Sequence, residues 1–234
     1  MLPEEEVRLH APGSHAPVPD DAPGRKKELC VLAVSDEESP YLYDHYIPGM
    51  LADCDLILAC GDLRRGYLEF LATMANCPVF YVRGNHDDLL NEEPPLGCVC
   101  IDGRLITYQG LRILGLGGSF RYREGRNMYT EKEMGRRLRR LKPMIWKAGG
   151  VDILVTHAPA RHINDGESLS HRGFQTFRRI LDRYHPAYFV HGHIHRNYGI
   201  RIPRISQAGT TAVINACGYC VFMVPVEEGQ KRFR

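Results

Sequence analysis

The chain has 234 residues, a formal net charge of +2 and 44% hydrophobic residues. This length can bury the core of a single domain, and no apolar run is long enough to cross a bilayer. The near balance of charge argues against bulk binding to nucleic acid or to a membrane surface. The N-terminus lacks the basic and then apolar pattern of a signal peptide, so we expect a cytoplasmic protein.

The first 27 residues contain several prolines, with glycine and charged residues, and almost no apolar periodicity. This composition is typical of a flexible arm. From Glu28 onward the pattern alternates between strands and helices, and the C-terminal part continues as strands alone. We therefore expect an N-terminal arm at 1–27 and a single domain at 28–234.

Short apolar runs predict the strands of this domain. The runs that end on polar residues are 29–34, 55–59, 78–82, 151–155 and 187–190. A hairpin is predicted from 104–108 and 111–116, with its turn at Gln109-Gly110. Three further strands are predicted at 199–202, 211–214 and 220–224.

Apolar residues at helical spacing predict the helices. Leu68, Leu71 and Ala75 predict a helix over 66–76, and a similar stripe predicts another over 173–184. Alternating units followed by strands suggest two sheets packed face to face with helices outside.

The segment 119–150 also carries an apolar helical stripe, but arginines and a lysine crowd its remaining faces. It is interpreted either as a lid that brings guanidinium groups over an anionic substrate or as a surface helix with a solvated basic face. The solvated face is the preferred interpretation, because basic runs on amphipathic helices usually contact only water. The basic residues are Arg136, Arg137, Arg139, Arg140 and Lys142.

Several of the eight cysteines lie within or beside apolar runs, where cysteine behaves as a small hydrophobic residue. Cys217-x-x-Cys220 and Cys98-x-Cys100 could also be half-sites for structural zinc. Cys220 lies inside a strand-like run, which is poor geometry for such a site. The hydrophobic interpretation is therefore preferred, and disulfides are not expected.

Five of the predicted strands end on Asp, Asn or His, with small residues beside them. The carboxyl ends of the strands are where an α/β sheet binds ligands. Carboxylate, amide and imidazole groups that converge there would form a site for metal ions of intermediate hardness. This pattern favours a metal-dependent enzyme that hydrolyses phosphate esters.

The polar motifs occur in a fixed order along the chain: Asp36, Gly61-Asp62, Gly84-Asn85-His86-Asp87, His157 and Gly192-His193-Ile194-His195. These ordered motifs resemble those of the calcineurin-like metallophosphoesterase superfamily, and the resemblance extends from Leu29 to Val224. The stretch 156–199 is also similar to a subgroup of small phosphodiesterases.

The resemblance implies an α/β fold, a four-layered α/β/β/α sandwich of two mixed sheets flanked by helices. It also implies a site with two divalent metal ions. In that site Asp62 would bridge the metals and His86 would serve as the catalytic acid. Asp36 and His195 would hold the first metal. The ligands of the second metal would be Asn85, His157 and His193.

The first motif departs from the family, whose pattern is Asp-x-His, because this chain has Asp36-Glu37-Glu38. Glu38 stands where a ligand of the first metal is expected. A carboxylate there would move the preference toward Mn, Fe or Mg and away from Zn. Alternatively, Glu38 points away and the first metal is weak or absent. We expect a working site, because every other ligand position is filled.

Other polar residues near the motifs have two interpretations. His191 is either a further ligand or, as we prefer, a strand-end residue that orients its neighbours. Asp165, His171 and Arg172 either orient substrate or cap the following helix. Asp87 is expected to anchor the loop that carries Asn85 and His86.

We expect a dinuclear metal-dependent phosphoesterase that acts on a small phosphate ester. The resemblance favours a phosphodiesterase over a monoesterase. One alternative is a non-catalytic scaffold, which would have no reason to keep His86. Another is a nuclease, which would need an extended basic groove or extra domains, so nucleic acid is not an expected partner. No membrane partner is expected, and the sequence leaves the oligomeric state open.

Overall fold

The computed structural model describes residues 28–195 and 203–226. Within these ranges the chain forms three α-helices, two large sheets and one short strand pair. The helices are α1 (Arg65–Met74), α2 (Glu131–Ala148) and α3 (Gln175–Tyr184). The strands are β1 (Glu28–Ser35), β2 (Leu56–Ala59), β3 (Val79–Tyr81), β4 (Cys98–Cys100), β5 (Arg104–Tyr108), β6 (Leu111–Leu116), β7 (Ser119–Phe120), β8 (Met128–Tyr129), β9 (Ile153–Thr156), β10 (Tyr188–His191), β11 (Ile205–Ala208), β12 (Thr211–Asn215) and β13 (Gly218–Pro225).

Both large sheets are mixed. The five-stranded sheet has the order β13-β1-β2-β3-β4, in which β1 to β4 are parallel and β13 is antiparallel. The six-stranded sheet has the order β11-β12-β10-β9-β6-β5, with antiparallel strands only at its two edges. The parallel strands in the middle of each sheet therefore end at a common edge, where the predicted motifs follow them.

Alternation along β1 explains the layering. Leu29, Val31 and Ala33 lie in the core between the two sheets, whereas Leu32 and Val34 pack on the opposite face with residues of α1. A third core lies between the six-stranded sheet and helices α2 and α3. Three cores separate four layers, so the predicted α/β/β/α sandwich is confirmed.

The hairpin prediction is confirmed, because β5 and β6 pair antiparallel around the predicted turn. Gln109 and Gly110 both have positive φ, of 49° and 85°. Positive φ at both central residues matches the twist of the flanking strands. The expected arm at 1–27 and the expected strand at 199–202 lie outside the described residues.

Only the later part of the segment 119–150 forms the helix α2, because its first residues form β7 and β8. The N-terminus of the helix is closed by reciprocal hydrogen bonds between Thr130 and Glu133, and it ends at Gly149 in the left-handed conformation. Its apolar stripe is buried, and four of the five basic residues are exposed. The fifth, Arg137, forms an ion pair with Asp102 and donates to the carbonyl of Gly117 at 2.8 Å. The exposure of the other four side chains favours the interpretation of a solvated basic face.

Among the described helices, no segment has the length and apolar character that a membrane span requires.

The core under α3 gives a stability prediction. Phe177 is fully buried, and its ring lies 5.0 Å from that of Phe174. Phe177→Ala should lower the free energy of unfolding by about 3–5 kcal/mol, because it leaves a cavity in a packed layer. Arg179→Ala on the exposed face of the same helix should change it by less than about 0.5 kcal/mol. Equal urea midpoints for the two variants would contradict this account of the core.

Candidate metal centre

The predicted motif residues meet at the common edge of the two sheets. Asp36 follows β1, Asp62 follows β2 and Asn85 follows β3, all from the five-stranded sheet. His157 follows β9 and His193 follows β10, both from the six-stranded sheet. The candidate site is therefore built from both sheets, and the packing of one on the other sets its geometry.

Four donor atoms surround one point at this edge. The Nε2 atom of His157 lies 3.0 Å from Asn85 Oδ1, 3.0 Å from His193 Nδ1 and 3.3 Å from Asp62 Oδ2. Donors that each bind one cation at about 2.1 Å lie about 3.0–3.5 Å from one another. Asp62, His157 and His193 each offer one donor atom, and these three atoms all lie within 4.8 Å of one another. The spacing fits a single divalent cation.

Two backbone carbonyls decide which imidazole nitrogens face this point. His157 Nδ1 lies 2.8 Å from the carbonyl of Cys60, and His193 Nε2 lies 2.6 Å from that of Ser170. A carbonyl only accepts, so both of these nitrogens carry protons. The remaining nitrogens then point their lone pairs at each other from 3.0 Å. Such an arrangement requires a cation, either a proton or a metal ion, between them.

The pKa values of His157 and His193 agree with a cation between their facing nitrogens. Burial lowers the pKa of His157, but the charges of Asp62 and Asp36 outweigh burial and raise the pKa to about 9. Burial and the neighbouring His157 lower the pKa of His193 to about 3. A single proton on His157 thus takes the place of the cation, and a bound metal ion would displace it.

Asp62 is held by the loop that carries Asn85. Its carboxylate Oδ1 accepts from the backbone amide of His86 at 2.8 Å. Burial alone would raise the pKa of Asp62, but His157 and this amide lower it to about 2. Asp87 Oδ2 accepts from the amides of Asp62 and Gly84 at 2.8 and 2.7 Å. Asp87 therefore anchors the loop, as predicted.

Three of the motif residues have strained backbones. Asp36, Asp62 and His193 have φ of 62°, 56° and 68°. Such values are uncommon for residues other than glycine and concentrate at functional sites. The turn after each strand thus carries a polar side chain at a position where glycine would be easier to accommodate.

A second group of donors lies beside the first. Glu37, His195 and Cys217 offer atoms that all lie within 4.8 Å of one another. His195 Nδ1 is 3.1 Å from Glu37 Oε1, and His195 Nε2 is 3.9 Å from Asp36 Oδ1. Burial raises the pKa of Asp36. Its Oδ2 accepts from the amide of His193, and its Oδ1 has no hydrogen-bond partner among the described residues.

The structure separates Glu38 from both groups. Its Oε1 accepts from the backbone amide of Arg64 at 3.1 Å and from Arg64 Nε at 2.7 Å, and its Oε2 pairs with the same guanidinium. The ligand role of Glu38 stays a prediction. The ion pair with Arg64 opposes this role, because it engages both carboxylate oxygens. His86 is exposed beside Asp62.

Sequence reasoning did not assign Glu37 or Cys217 to this site. Glu37 is the chain neighbour of Glu38, the residue to which the sequence analysis assigned the ligand role. Cys217 follows β12, a strand whose end carries no recognisable motif. No local signal identifies Cys217, because only the pairing of β12 with β10 brings the end of β12 to the candidate site.

Asp165 now has a clear role. Its carboxylate pairs with Arg161 at 2.7 Å and accepts from the amide of Gly173 at 3.0 Å. These contacts hold the loop before α3 but do not cap the helix, because α3 begins at Gln175 and its N-cap residue Phe174 has no side-chain capping hydrogen bond. His171 Nδ1 lies 2.7 Å from Ser168 Oγ, and its ring stands 5.8 Å from that of His193. Arg172 lies over the ring of Phe120 at 5.8 Å.

The buried turn at Gly192 gives a prediction. A Cβ atom there would lie 1.9 Å from Ser35 Oγ and 2.6 Å from Asp36 Oδ2. Gly192→Ala should therefore push β1 away from the turn after β10, lower stability by about 1–3 kcal/mol and weaken metal binding. Gly66→Ala is the control, because a Cβ there meets no atom within 4 Å. Calorimetry of metal binding and thermal melting would check both variants, and equal behaviour would contradict this packing.

Comparison with known proteins agrees with the fold. A family model described as calcineurin-like phosphoesterase matches residues 37–197. No curated protein sequence matches the chain. One crystal structure superposes with a TM-score of 0.61 at 13% identity, covering 86% of this chain and 100% of the other. The protein TT1561 of Thermus thermophilus gives 0.59 at 14% identity, covering 85% and 99%.

A candidate 5′-nucleotidase from Staphylococcus aureus, solved in complex with alpha-ketoglutarate, gives a TM-score of 0.51 at 14% identity. It covers 88% of this chain, which spans 56% of that protein. At such identities these structures support the fold alone. The family match covers more than half of the sequence, and it implies a hydrolase that uses divalent metal ions to cleave phosphate esters. This chain belongs to the calcineurin-like phosphoesterase family.

Proposed function

We propose that the protein is a dinuclear metal-dependent phosphodiesterase that acts on a small phosphate ester. The observation that carries the proposal is the pair of imidazole lone pairs that converge beside Asp62 and Asn85. Both tautomers are set by backbone carbonyls, so the side chains are arranged for a cation before one binds.

The proposed ligands follow the two donor groups. Asn85, His157 and His193 would hold one ion, and Asp36 and His195 would hold the other. Asp62 would bridge them, because its carboxylate can offer one oxygen to each. Its Oδ2 already lies 3.3 Å from His157 Nε2. The assignment of Glu38 remains the least supported, since Arg64 occupies its carboxylate.

Bound divalent cations supply Lewis-acid stabilisation of the phosphoryl oxygens and lower the pKa of an attacking water. The chain's own residues then bind, orient and protonate. Asp36 and Asp62 hold negative charge at the buried edge of the sheets. His86 is exposed, and its backbone is fixed by the 2.8 Å hydrogen bond to Asp62. Its imidazole is the proposed donor of the proton that the leaving alkoxide needs.

The rivals are less well supported. A scaffold would not need His86 together with a preformed imidazole pair. A nuclease acting on polymers would need an extended basic groove, and the chain is close to neutral. The preference for a diester over a monoester rests on sequence resemblance. The proposed preference for Mn, Fe or Mg rests on the carboxylate of Glu38. The cytoplasmic location stays a prediction.

Metal analysis of the purified protein, coupled to hydrolysis of a chromogenic phosphodiester and a matched monoester with added Mn²⁺, tests the proposal directly. Two ions per chain and faster hydrolysis of the diester are expected. Hydrolysis of the monoester alone would overturn the diesterase assignment. A protein that binds no divalent metal would overturn the proposal as a whole.

Asp62→Asn should abolish turnover of both esters while leaving the fold intact. The substitution removes the charge and one coordinating oxygen from the position that both ions would share. Hydrolysis under saturating Mn²⁺ and circular dichroism would measure the two effects. Asp182→Asn on α3 removes a carboxylate that pairs only at the surface and serves as the control. Near-normal activity of Asp62→Asn would refute the bridging role.

His86→Ala should retain metal binding and slow hydrolysis by about 10²–10⁴-fold, the usual range for a lost general acid. The loss should shrink for esters whose leaving group is nitrophenol, because such groups need little protonation. Rates for a series of leaving groups would give the dependence. An equal loss across the series would remove the acid role and point to substrate binding.

A further inference from the structure

We infer that Cys217 and Glu37 are ligands of the ion on the Asp36 side, so that this ion is held by a thiolate, carboxylates and an imidazole. The inference rests on the proposed dinuclear site and names the ligands of one half of it. It differs from the assignment of Glu38 and adds a sulfur donor that the sequence motifs do not include.

The three donors come from three strand ends. Glu37 follows β1, His195 follows β10 and Cys217 follows β12, and their donor atoms all lie within 4.8 Å of one another. Cys217 is buried, with 2% of its surface exposed. A buried sulfur beside a carboxylate and an imidazole is a mixed donor set that divalent transition metals bind well.

The backbone fixes Cys217 in this position. An isolated parallel β-bridge joins Cys217 to Ser35, the last residue of β1, next to the site. The amide of Cys217 donates to Asn215 Oδ1 at 3.0 Å. Asn215 Nδ2 donates in turn to the carbonyl of Ile194 at 2.8 Å. The buried side chain of Asn215 thus ties Cys217 to the segment that carries His193 and His195.

An independent observation at Asp36 points to a cation in the same place. The Asp36 side chain is 1% exposed, and its Oδ1 lies 3.9 Å from His195 Nε2. That oxygen has no hydrogen-bond partner among the described residues. A buried carboxylate oxygen without a partner is costly, and a cation beside it removes the cost.

The two neighbouring glutamates point in different directions. Glu38 is held by the backbone amide and the guanidinium of Arg64. Glu37 instead reaches His195, at 3.1 Å from Nδ1. The carboxylate that stands at the site is therefore that of Glu37.

The sulfur donor changes the expected metal. Carboxylate oxygens suit Mg²⁺ and Mn²⁺, whereas a thiolate favours softer ions such as Zn²⁺. The Asn85 side of the site has only nitrogen and oxygen donors. The two positions would therefore differ in selectivity, and Zn²⁺, Fe²⁺ or Co²⁺ would be preferred on the Cys217 side.

Cobalt substitution tests the sulfur ligand by spectroscopy rather than by activity. The metal-free full chain, loaded with Co²⁺, should show a near-ultraviolet charge-transfer band from thiolate to cobalt. Cys217→Ser should lose the band and bind one of its two Zn²⁺ ions at least about 10-fold more weakly, a loss that even outer-shell substitutions can reach. Cys98→Ser is the matched control, since Cys98 is half-buried and its thiol contacts the carbonyl of Leu68.

Glu37→Gln and Glu38→Gln form a second matched pair. Glu37→Gln should weaken the same ion that Cys217→Ser weakens, and Glu38→Gln should leave both affinities within about twofold. The reverse result would overturn the assignment of Glu37 and support that of Glu38.

The outcomes separate this inference from the proposed function. Two bound Co²⁺ ions without a charge-transfer band would overturn the sulfur ligand and leave the dinuclear site standing. Failure to bind any metal would overturn both. If Cys217→Ser does not fold, the spectrum of the parent protein still decides. Mass spectrometry of the parent protein after alkylation gives a further readout, because Cys217 should be alkylated more slowly in the Zn²⁺-loaded protein than in the metal-free protein.

Discussion

One hydrogen bond between the two sheets controls the candidate site. His157 at the end of β9 uses Nδ1 to reach the carbonyl of Cys60, which follows β2 in the other sheet, at 2.8 Å. Both residues are fully buried. The carbonyl of His157 also accepts from the amide of Gly192 at 2.9 Å, so the same residue is connected to the turn after β10. If the sheets shifted relative to each other, His157 would lose both its orientation and its tautomer.

The arrangement has a thermodynamic cost without a cation. The φ angles of Asp36, Asp62 and His193 are strained. The buried Oδ1 atom of Asp36 also lacks a hydrogen-bond partner among the described residues. Each of these features disfavours the metal-free fold. The three packed cores provide the stability that tolerates these features. Metal binding would relieve part of the cost, so affinity for metal and stability of the fold are coupled through the same residues.

The sequence predicted most of the fold because its signals are local. Buried strands that end on polar residues, and a hairpin with Gln109-Gly110 at its turn, are visible in short windows. Strands β4, β7, β8 and β11 were missed, because each is only two to four residues long and partly buried. His157 and the three donors around its Nε2 were named from the sequence because each lies within four residues after a strand and belongs to a motif that resembles the family.

The remaining donors depend on contacts between distant parts of the chain. Whether Glu37 or Glu38 faces the site is decided by Arg64, which lies 26 residues from Glu38. In the sequence, Cys217 stands out only as part of Cys217-x-x-Cys220, a possible half-site for structural zinc that the strand-like run around Cys220 argues against. Its position beside His195 follows from the pairing of β12 with β10, which no local pattern reveals.

The two donor groups also differ in access to solvent, and this difference bears on how the site would work. His157 is fully buried, whereas the side chains of His195 and Glu37 are 33% and 48% exposed. An ion at His157 would be enclosed by both sheets and would exchange slowly. An ion at His195 would lie at the rim, where solvent and substrate enter. The buried side chains of Cys217 and Asp36 would hold that ion from the inner side, and the bond from a thiolate to a softer metal would compensate for the exposure of His195 and Glu37.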